Sequence, residues 1–121
     1  MKILIIGLDG VPLRLLTFLA QKGLMPNIKR LINTGFSTDL GSTIPPCTPP
    51  AIASFMTGQN PGKHGIFDFY SYNRETRTLS FENSTYIQSK TIWEILSEKG
   101  KRICVINLPV TYPPFPVNGY L

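Results

Sequence analysis

Two proline pairs, Pro45-Pro46 and Pro49-Pro50, enclose Cys47-Thr48 and restrict the backbone there more than anywhere else in the chain. A proline fixes its own φ angle, and its ring pushes the preceding residue into an extended conformation. We therefore expect a stiff loop. The apolar residues 51–56 that follow predict a short helix closed by a glycine. Because the N–H groups at a helix N-terminus favour anions, the pattern predicts that Thr48 is presented where an anionic substrate would bind.

The other apolar residues predict an alternation of strands and helices. Apolar runs predict buried strands at residues 3–8 and 102–107, with a further short strand at 36–41. Helical spacing between capping signals predicts helices from Pro12 to Gly23, from Pro26 to Gly35 and from Thr91 to Gly100, the last opened by a capping box of Thr91 and Glu94. Strands that alternate with helices argue for a parallel sheet. The expected fold class is α/β, a parallel-sheet core with flanking helices.

The remaining segments predict less regular structure. Residues 59–65 are expected to be a loop, 67–84 an irregular segment or hairpin, and 108–121 a proline-rich loop without a packed terminus. Cys104 lies in an apolar run and is predicted to be a buried thiol. Because the chain stops just after a strand and a loop, residues 1–121 are expected to be the N-terminal segment of one larger domain.

Charge and hydropathy exclude several classes of protein. The net charge is +5, but the basic residues are scattered, which argues against a dedicated nucleic-acid surface. No run approaches the ~20 apolar residues that a membrane-spanning helix needs. The opening apolar run is too short for a signal peptide, so a cytoplasmic protein without membrane association is expected. A half-built sheet would leave strand edges unpaired, through which the chain could self-associate.

Three polar residues are candidates for chemistry. Asp9 follows the first predicted strand, where open α/β sheets place ligands, and it fits a metal ligand and a turn aspartate equally well. His64 is the single histidine, and a loop-stabilising role is favoured over catalysis. The hydroxyl of Thr48 is a weak nucleophile that needs activation, and with no base in view a divalent metal is the remaining route. The glycines fit neither a dinucleotide fingerprint nor a P-loop.

Several ordered motifs resemble the alkaline phosphatase superfamily, in particular its type I phosphodiesterase/nucleotide pyrophosphatase branch. The motifs are Ile6-Gly7-Leu8-Asp9-Gly10, Met25-Pro26-Asn27-Ile28, Pro45-Pro46-Cys47-Thr48-Pro49-Pro50-Ala51, Thr57-Gly58-x-x-Pro61-x-x-His64-Gly65-Ile66, and two later segments at 92–96 and 107–114. The resemblance implies an alkaline phosphatase-like fold. It also implies that Thr48 is the catalytic nucleophile and forms a phospho-enzyme intermediate, that Asp9 and Thr48 contact metal, and that His64 is structural.

The resemblance also sets expectations for cofactors and substrates. It implies two divalent metal ions, with zinc favoured over manganese or magnesium, and a small phosphate-ester or nucleotide substrate. The family's remaining metal ligands would come from beyond Leu121. The asparagine that nucleotide pyrophosphatases carry after the H-G-I segment is replaced here by Phe67-Asp68-Phe69. The alternatives are a catalytically silent fragment or interaction module of this fold, and a phosphoglycerate mutase-like or phosphonate-cleaving relative.

Overall fold

The computed structural model describes residues 2–121, which divide into two compact units at Gly41. The first unit contains helices α1 (Leu13–Gln21) and α2 (Pro26–Thr34), which contact each other. Pro26 occupies the first turn of α2, where its missing N–H costs nothing, and Gly35 follows the last helical residue. Both predicted helices are therefore confirmed.

The predicted strands of the first unit are wrong. Residues 3–8 and 36–41 are irregular, and the large apolar side chains of the first run are exposed by between 54% (Leu8) and 84% (Leu4). A strand needs a neighbour to complete its backbone hydrogen bonds, and residues 2–41 contain no other strand. Helices and small sheets together fit an α/β fold, but the predicted parallel-sheet core is not formed by the described residues.

The second unit begins with two consecutive helices, α3 (Thr48–Thr57) and α4 (Pro61–His64). The predicted helix at 51–56 is confirmed and starts three residues earlier, because the φ angle that proline imposes suits the first turn of a helix. Gly58 ends α3 in the left-handed conformation, with φ of 66°. Helix α4 is a single turn within the segment that was predicted to be a loop.

A β-hairpin follows, which is one of the two alternatives that the sequence left open for residues 67–84. Strands β1 (Tyr70–Asn73) and β2 (Thr78–Phe81) are antiparallel, with Tyr70 opposite Phe81. The turn between them is held by the Asn73 side chain, whose oxygen accepts hydrogen bonds from two backbone N–H groups. A short 3₁₀ turn, Ser84–Tyr86, leads from the hairpin to the next helix.

The predicted strand at 102–107 is confined to β3 (Ile103–Cys104), which pairs in parallel with β4 (Gly119–Tyr120). This small sheet is covered on one face only. Ile103 and Val105 pack against the core, whereas Cys104 is exposed, so its prediction as a buried thiol is wrong. A side chain at position 119 would collide with the Ile103 carbonyl, and glycine there permits the close approach of β4.

The core of the second unit joins α3 to helix α5 (Ile92–Glu98). Its buried members are Ala53, Met56, Ile66 and Trp93. Trp93 is the buried side chain of α5, whereas Ile92 and Ile95 are 43% and 39% exposed. Leu121 packs against the core, so the terminus is packed, contrary to prediction. No helix among residues 2–121 is long and apolar enough to cross a membrane.

The capping box of α5 is confirmed in both directions. The Thr91 N–H donates to Glu94 Oε2 at 2.8 Å, and the Glu94 N–H donates to Thr91 Oγ1 at 3.4 Å. We expect Thr91→Val, which keeps the volume but removes the hydroxyl, to lower the free energy of unfolding by about 1 kcal/mol in urea denaturation. Glu94→Gln keeps an acceptor and should cost much less. Equal effects of the two substitutions would contradict this role for the box.

Candidate active site

Thr48 is the first residue of α3, and its side chain is half-buried. Cys47 precedes it in an extended conformation, with φ of −135° and ψ of 167°. Pro49 and Pro50 follow and are fully buried, which ties the start of the helix to the body of the unit. The chain therefore holds the Thr48 hydroxyl at a helix start whose backbone is fixed on both sides, as the proline pairs predicted.

The N-terminus of α3 offers fewer N–H groups than the sequence analysis assumed. Pro49 and Pro50 occupy the second and third helical positions and carry no N–H. The N–H of Cys47 donates to the Pro45 carbonyl at 3.1 Å. Three of the four N–H groups that a helix start normally presents are therefore missing or already bonded, so the helix start is a weaker anion site than predicted.

The thiol of Cys47, next to Thr48, is a poor nucleophile. It donates to the Phe67 carbonyl, with an Sγ–O distance of 3.7 Å. Burial raises the pKa of the Cys47 thiol, and the negative charge of Asp68 raises this pKa further. A thiol with a raised pKa stays protonated, and the thiolate is the reactive form. The resemblance implies Thr48, and not Cys47, as the nucleophile, and a protonated thiol is consistent with that prediction.

Asp9 is an exposed residue of the first unit, in a turn with Gly10 that precedes α1. Gly10 has φ of 67°, a conformation that glycine adopts without strain. Asp9 and Thr48 both make interactions within the structure. Because Asp9 belongs to the first unit and Thr48 to the second, their shared contact with a metal ion stays a prediction.

The described residues do not fit a complete metal site. Residues 2–121 contain no group of three or more His, Cys, Asp or Glu side chains placed to hold one ion. Zinc sites in proteins use three or four such ligands. The single histidine is also engaged elsewhere, because both of its ring nitrogens make hydrogen bonds.

His64 is completely buried and joins α3 to the turn after α4. The Ile66 N–H donates to His64 Nδ1 at 3.1 Å, and His64 Nε2 lies 2.9 Å from Ser54 Oγ. A backbone N–H can only donate, so Nδ1 is the acceptor and the ring proton is on Nε2, which donates to Ser54. Burial lowers the pKa of His64, and a hydrogen bond to the backbone of Pro50 opposes this lowering.

The contact between Ser54 and His64 has the spacing of a nucleophile and its general base. The tautomer excludes that chemistry, since a protonated Nε2 cannot accept the serine proton. The geometry supports the structural role that the resemblance implied for His64. Sequence reasoning missed Ser54, because its partner lies ten residues away on another helix and no local pattern indicates the contact.

The family model for type I phosphodiesterase / nucleotide pyrophosphatase matches residues 3–120. The chain belongs to this family. The match includes Asp9 and Thr48 and confirms the resemblance that the motifs indicated. Family membership supports a hydrolase of phosphodiesters or nucleotide pyrophosphates, in a family that is generally metal-dependent. No curated protein matches the chain. No solved structure matches it either.

Burial of His64 predicts a pH-dependent stability. Its pKa in the folded chain lies below the ordinary value of 6.5, so at acidic pH the unfolded chain binds a proton that the folded chain excludes. The free energy of unfolding should be constant above about pH 6.5 and fall by up to about 1.4 kcal/mol per pH unit below it. Urea denaturation should show this slope, and His64→Gln should lack it. An unchanged slope in that variant would contradict the assignment.

Removing the serine hydroxyl should leave the buried Nε2–H of His64 with a poorer partner. We expect Ser54→Ala to lower the free energy of unfolding by about 1–3 kcal/mol, towards the lower end because the Pro50 carbonyl offers a second acceptor. Ser71→Ala, on the exposed hairpin, is the matched control and should change stability by less than about 0.5 kcal/mol. A Ser54→Ala effect as small as the control's would be evidence against the contact.

Proposed function

We propose that this chain hydrolyses phosphodiesters with Thr48 as the nucleophile. The observation that carries the proposal is the position of Thr48 at the first residue of α3, anchored by two fully buried prolines. The entropy lost when reactants are oriented is a large part of the barrier in such reactions. A nucleophile that is already held in place loses little conformational freedom when it attacks. Membership of the phosphodiesterase family supports the same reaction class.

The proposed reaction has two displacements at phosphorus. Thr48 Oγ attacks in line with the leaving oxygen, forming the Oγ–P bond as the bond to the leaving alcohol breaks. The threonine proton passes to solvent, and the leaving alkoxide takes a proton from water. The phosphorus on Thr48 keeps its second ester group. Water then attacks this phosphorus, the P–Oγ bond breaks, Thr48 regains its proton, and a phosphomonoester is released.

We further propose Asp9 as a metal ligand, with Thr48 as a second contact of the same ion and zinc, manganese or magnesium as the ion. Asp9 supplies the carboxylate oxygen that such cations bind. Residues 2–121 contain no group of three or more His, Cys, Asp or Glu side chains that could hold an ion. The reaction above therefore uses only Thr48, water and solvent protons. We also propose that both compact units are parts of one alkaline phosphatase-like domain.

The charge near α3 favours diesters over monoesters as substrates. The carboxylate of Asp68 acts on the neighbouring Cys47 thiol and accepts a hydrogen bond from the Phe69 N–H at 2.7 Å. A phosphodiester carries one negative charge at neutral pH, whereas a phosphomonoester carries about 1.5 to 2. Asp68 repels the monoester more strongly, which supports a phosphodiester substrate. A nucleotide pyrophosphate, with at least two negative charges, stays a candidate on family membership alone.

The test is hydrolysis of bis(p-nitrophenyl) phosphate by the chain with zinc, manganese or magnesium added in turn. Thr48→Val keeps the shape of the side chain without its hydroxyl and should lower kcat by at least about 10³-fold. Thr48→Ser keeps a hydroxyl and should retain part of the activity. Mass spectrometry of the quenched reaction should find a p-nitrophenyl phosphoryl group on Thr48. Full turnover by Thr48→Val would rule out the proposed nucleophile.

A second candidate function is a catalytically silent module that binds or interacts through the same fold. It is favoured by one observation, the lack of a three-donor metal group among residues 2–121. The same assay separates the two functions. A folded chain with no turnover in any of the three ions, and no p-nitrophenyl phosphoryl group on Thr48, supports the silent module and contradicts the enzyme.

A further inference from the structure

An open cleft of about 720 Å³ lies within the second unit, beside α3. We call it the polar cleft; it is lined by residues 42–44, Ser54, residues 58–62 and Phe67. The polar cleft is wide open to solvent, so we expect it to bind a ligand weakly. Thr48 is not among its lining residues, although the carbonyl of the lining residue Phe67 accepts from the Cys47 thiol, next to Thr48.

The lining of the polar cleft combines uncharged polar side chains with a larger apolar surface. Hydroxyls come from Ser42, Thr43 and Ser54, and side-chain amides come from Gln59 and Asn60. Hydroxyls and amides both donate and accept hydrogen bonds, whereas no lining residue carries a charge. Such a lining suits a neutral ligand with many hydroxyl groups. It offers no cation to compensate a phosphate or a carboxylate.

Ser54 is the one lining hydroxyl that a buried group holds in place. Its oxygen accepts from His64 Nε2–H at 2.9 Å, and the tautomer of His64 is fixed by the Ile66 N–H. The Ser54 hydroxyl proton is therefore left to donate, and the oxygen keeps a second lone pair. Half-buried Ser54 thus adds an oriented donor and acceptor to the polar cleft.

One aromatic ring completes the lining. Phe67 is 50% exposed, and Ile44 is the other large apolar side chain of the polar cleft. Gly58 and Gly62 carry no side chains, so the segment 58–62 leaves space for a ligand in the polar cleft. A single exposed ring beside hydroxyl and amide groups is complementary to a sugar, which has an apolar C–H face and a rim of hydroxyls. A nucleobase also has polar groups at the edge of its ring, but it lacks the many hydroxyl groups that surround a sugar ring.

We propose that the polar cleft binds a neutral saccharide, with its C–H face on Phe67 and its hydroxyls on Ser54, Gln59 and Asn60. The polar cleft includes no residue of a β-strand, so it offers no strand edge on which an extended peptide could pair. The proposal does not depend on Thr48 or on hydrolysis, because none of the residues that bind the sugar takes part in the proposed reaction.

The test is titration of the 13.5 kDa chain with maltose, lactose and cellobiose, followed by amide chemical shifts in NMR spectra. We expect saturable shifts at Gly58, Gln59 and Phe67 for at least one disaccharide, with Kd near the millimolar range. Phe67→Ala should weaken binding by about 10-fold or more, as loss of a stacking ring does elsewhere. Phe69→Ala is the matched control, because Phe69 is 52% exposed but lies outside the polar cleft; it should bind like the unsubstituted chain.

Gln59→Ala provides a second test if Phe67→Ala proves unfolded by circular dichroism, since Gln59 is exposed and should weaken binding without affecting the fold. Adenosine and inorganic phosphate are the competing probes. The proposal is overturned if no disaccharide gives saturable shifts, if Phe69→Ala weakens binding as much as Phe67→Ala, or if adenosine or phosphate binds at these residues while every disaccharide fails.

Discussion

The buried ring of His64 is the contact on which the second unit depends. Its Nε2–H reaches back to Ser54 in the middle of α3, and its Nδ1 receives the N–H of Ile66 just beyond α4. The backbone carbonyl of His64 also accepts from the Gln88 N–H at 3.0 Å, so the segment before α5 is joined to the same point. A neutral, fully satisfied imidazole can be buried without the large cost of a buried charge. The side chain and the backbone carbonyl of His64 together join α3 to two later segments.

This arrangement determines how Thr48 is presented. The start of α3 is anchored by buried Pro49 and Pro50, and its middle is anchored by Ser54 through His64. Met56 and Ala53, further along the same helix, complete the core with Ile66 and Trp93. Thr48 is therefore the first residue of a helix that is anchored by buried contacts from Pro49 to Met56. The same two prolines remove two N–H groups from the helix start, so rigid presentation comes with a weaker attraction for anions.

The distribution of titratable groups limits the chemistry that the described residues can perform alone. The imidazole of His64 is occupied and protonated on the nitrogen that faces Ser54, so it can serve neither as a base nor as a ligand. Asp68 places a negative charge near the start of α3, and the Cys47 thiol stays protonated beside it. A phosphoryl group at Thr48 would therefore need positive charge from elsewhere, which is consistent with a family that is generally metal-dependent.

The sequence by itself determined the features that depend on neighbouring residues. Helices α1 and α2, the capping box of Thr91 and Glu94, and the position of Thr48 at a rigid helix start all follow from local backbone and side-chain preferences. The hairpin was one of two alternatives that the sequence left open. Tertiary structure decided the rest. Residues 3–8 have the composition of a buried strand, yet they form no strand because strand formation requires a partner that local sequence cannot specify. The Ser54–His64 contact and the polar cleft likewise join residues from separate elements, and only the packing of α3 against its neighbours brings them together.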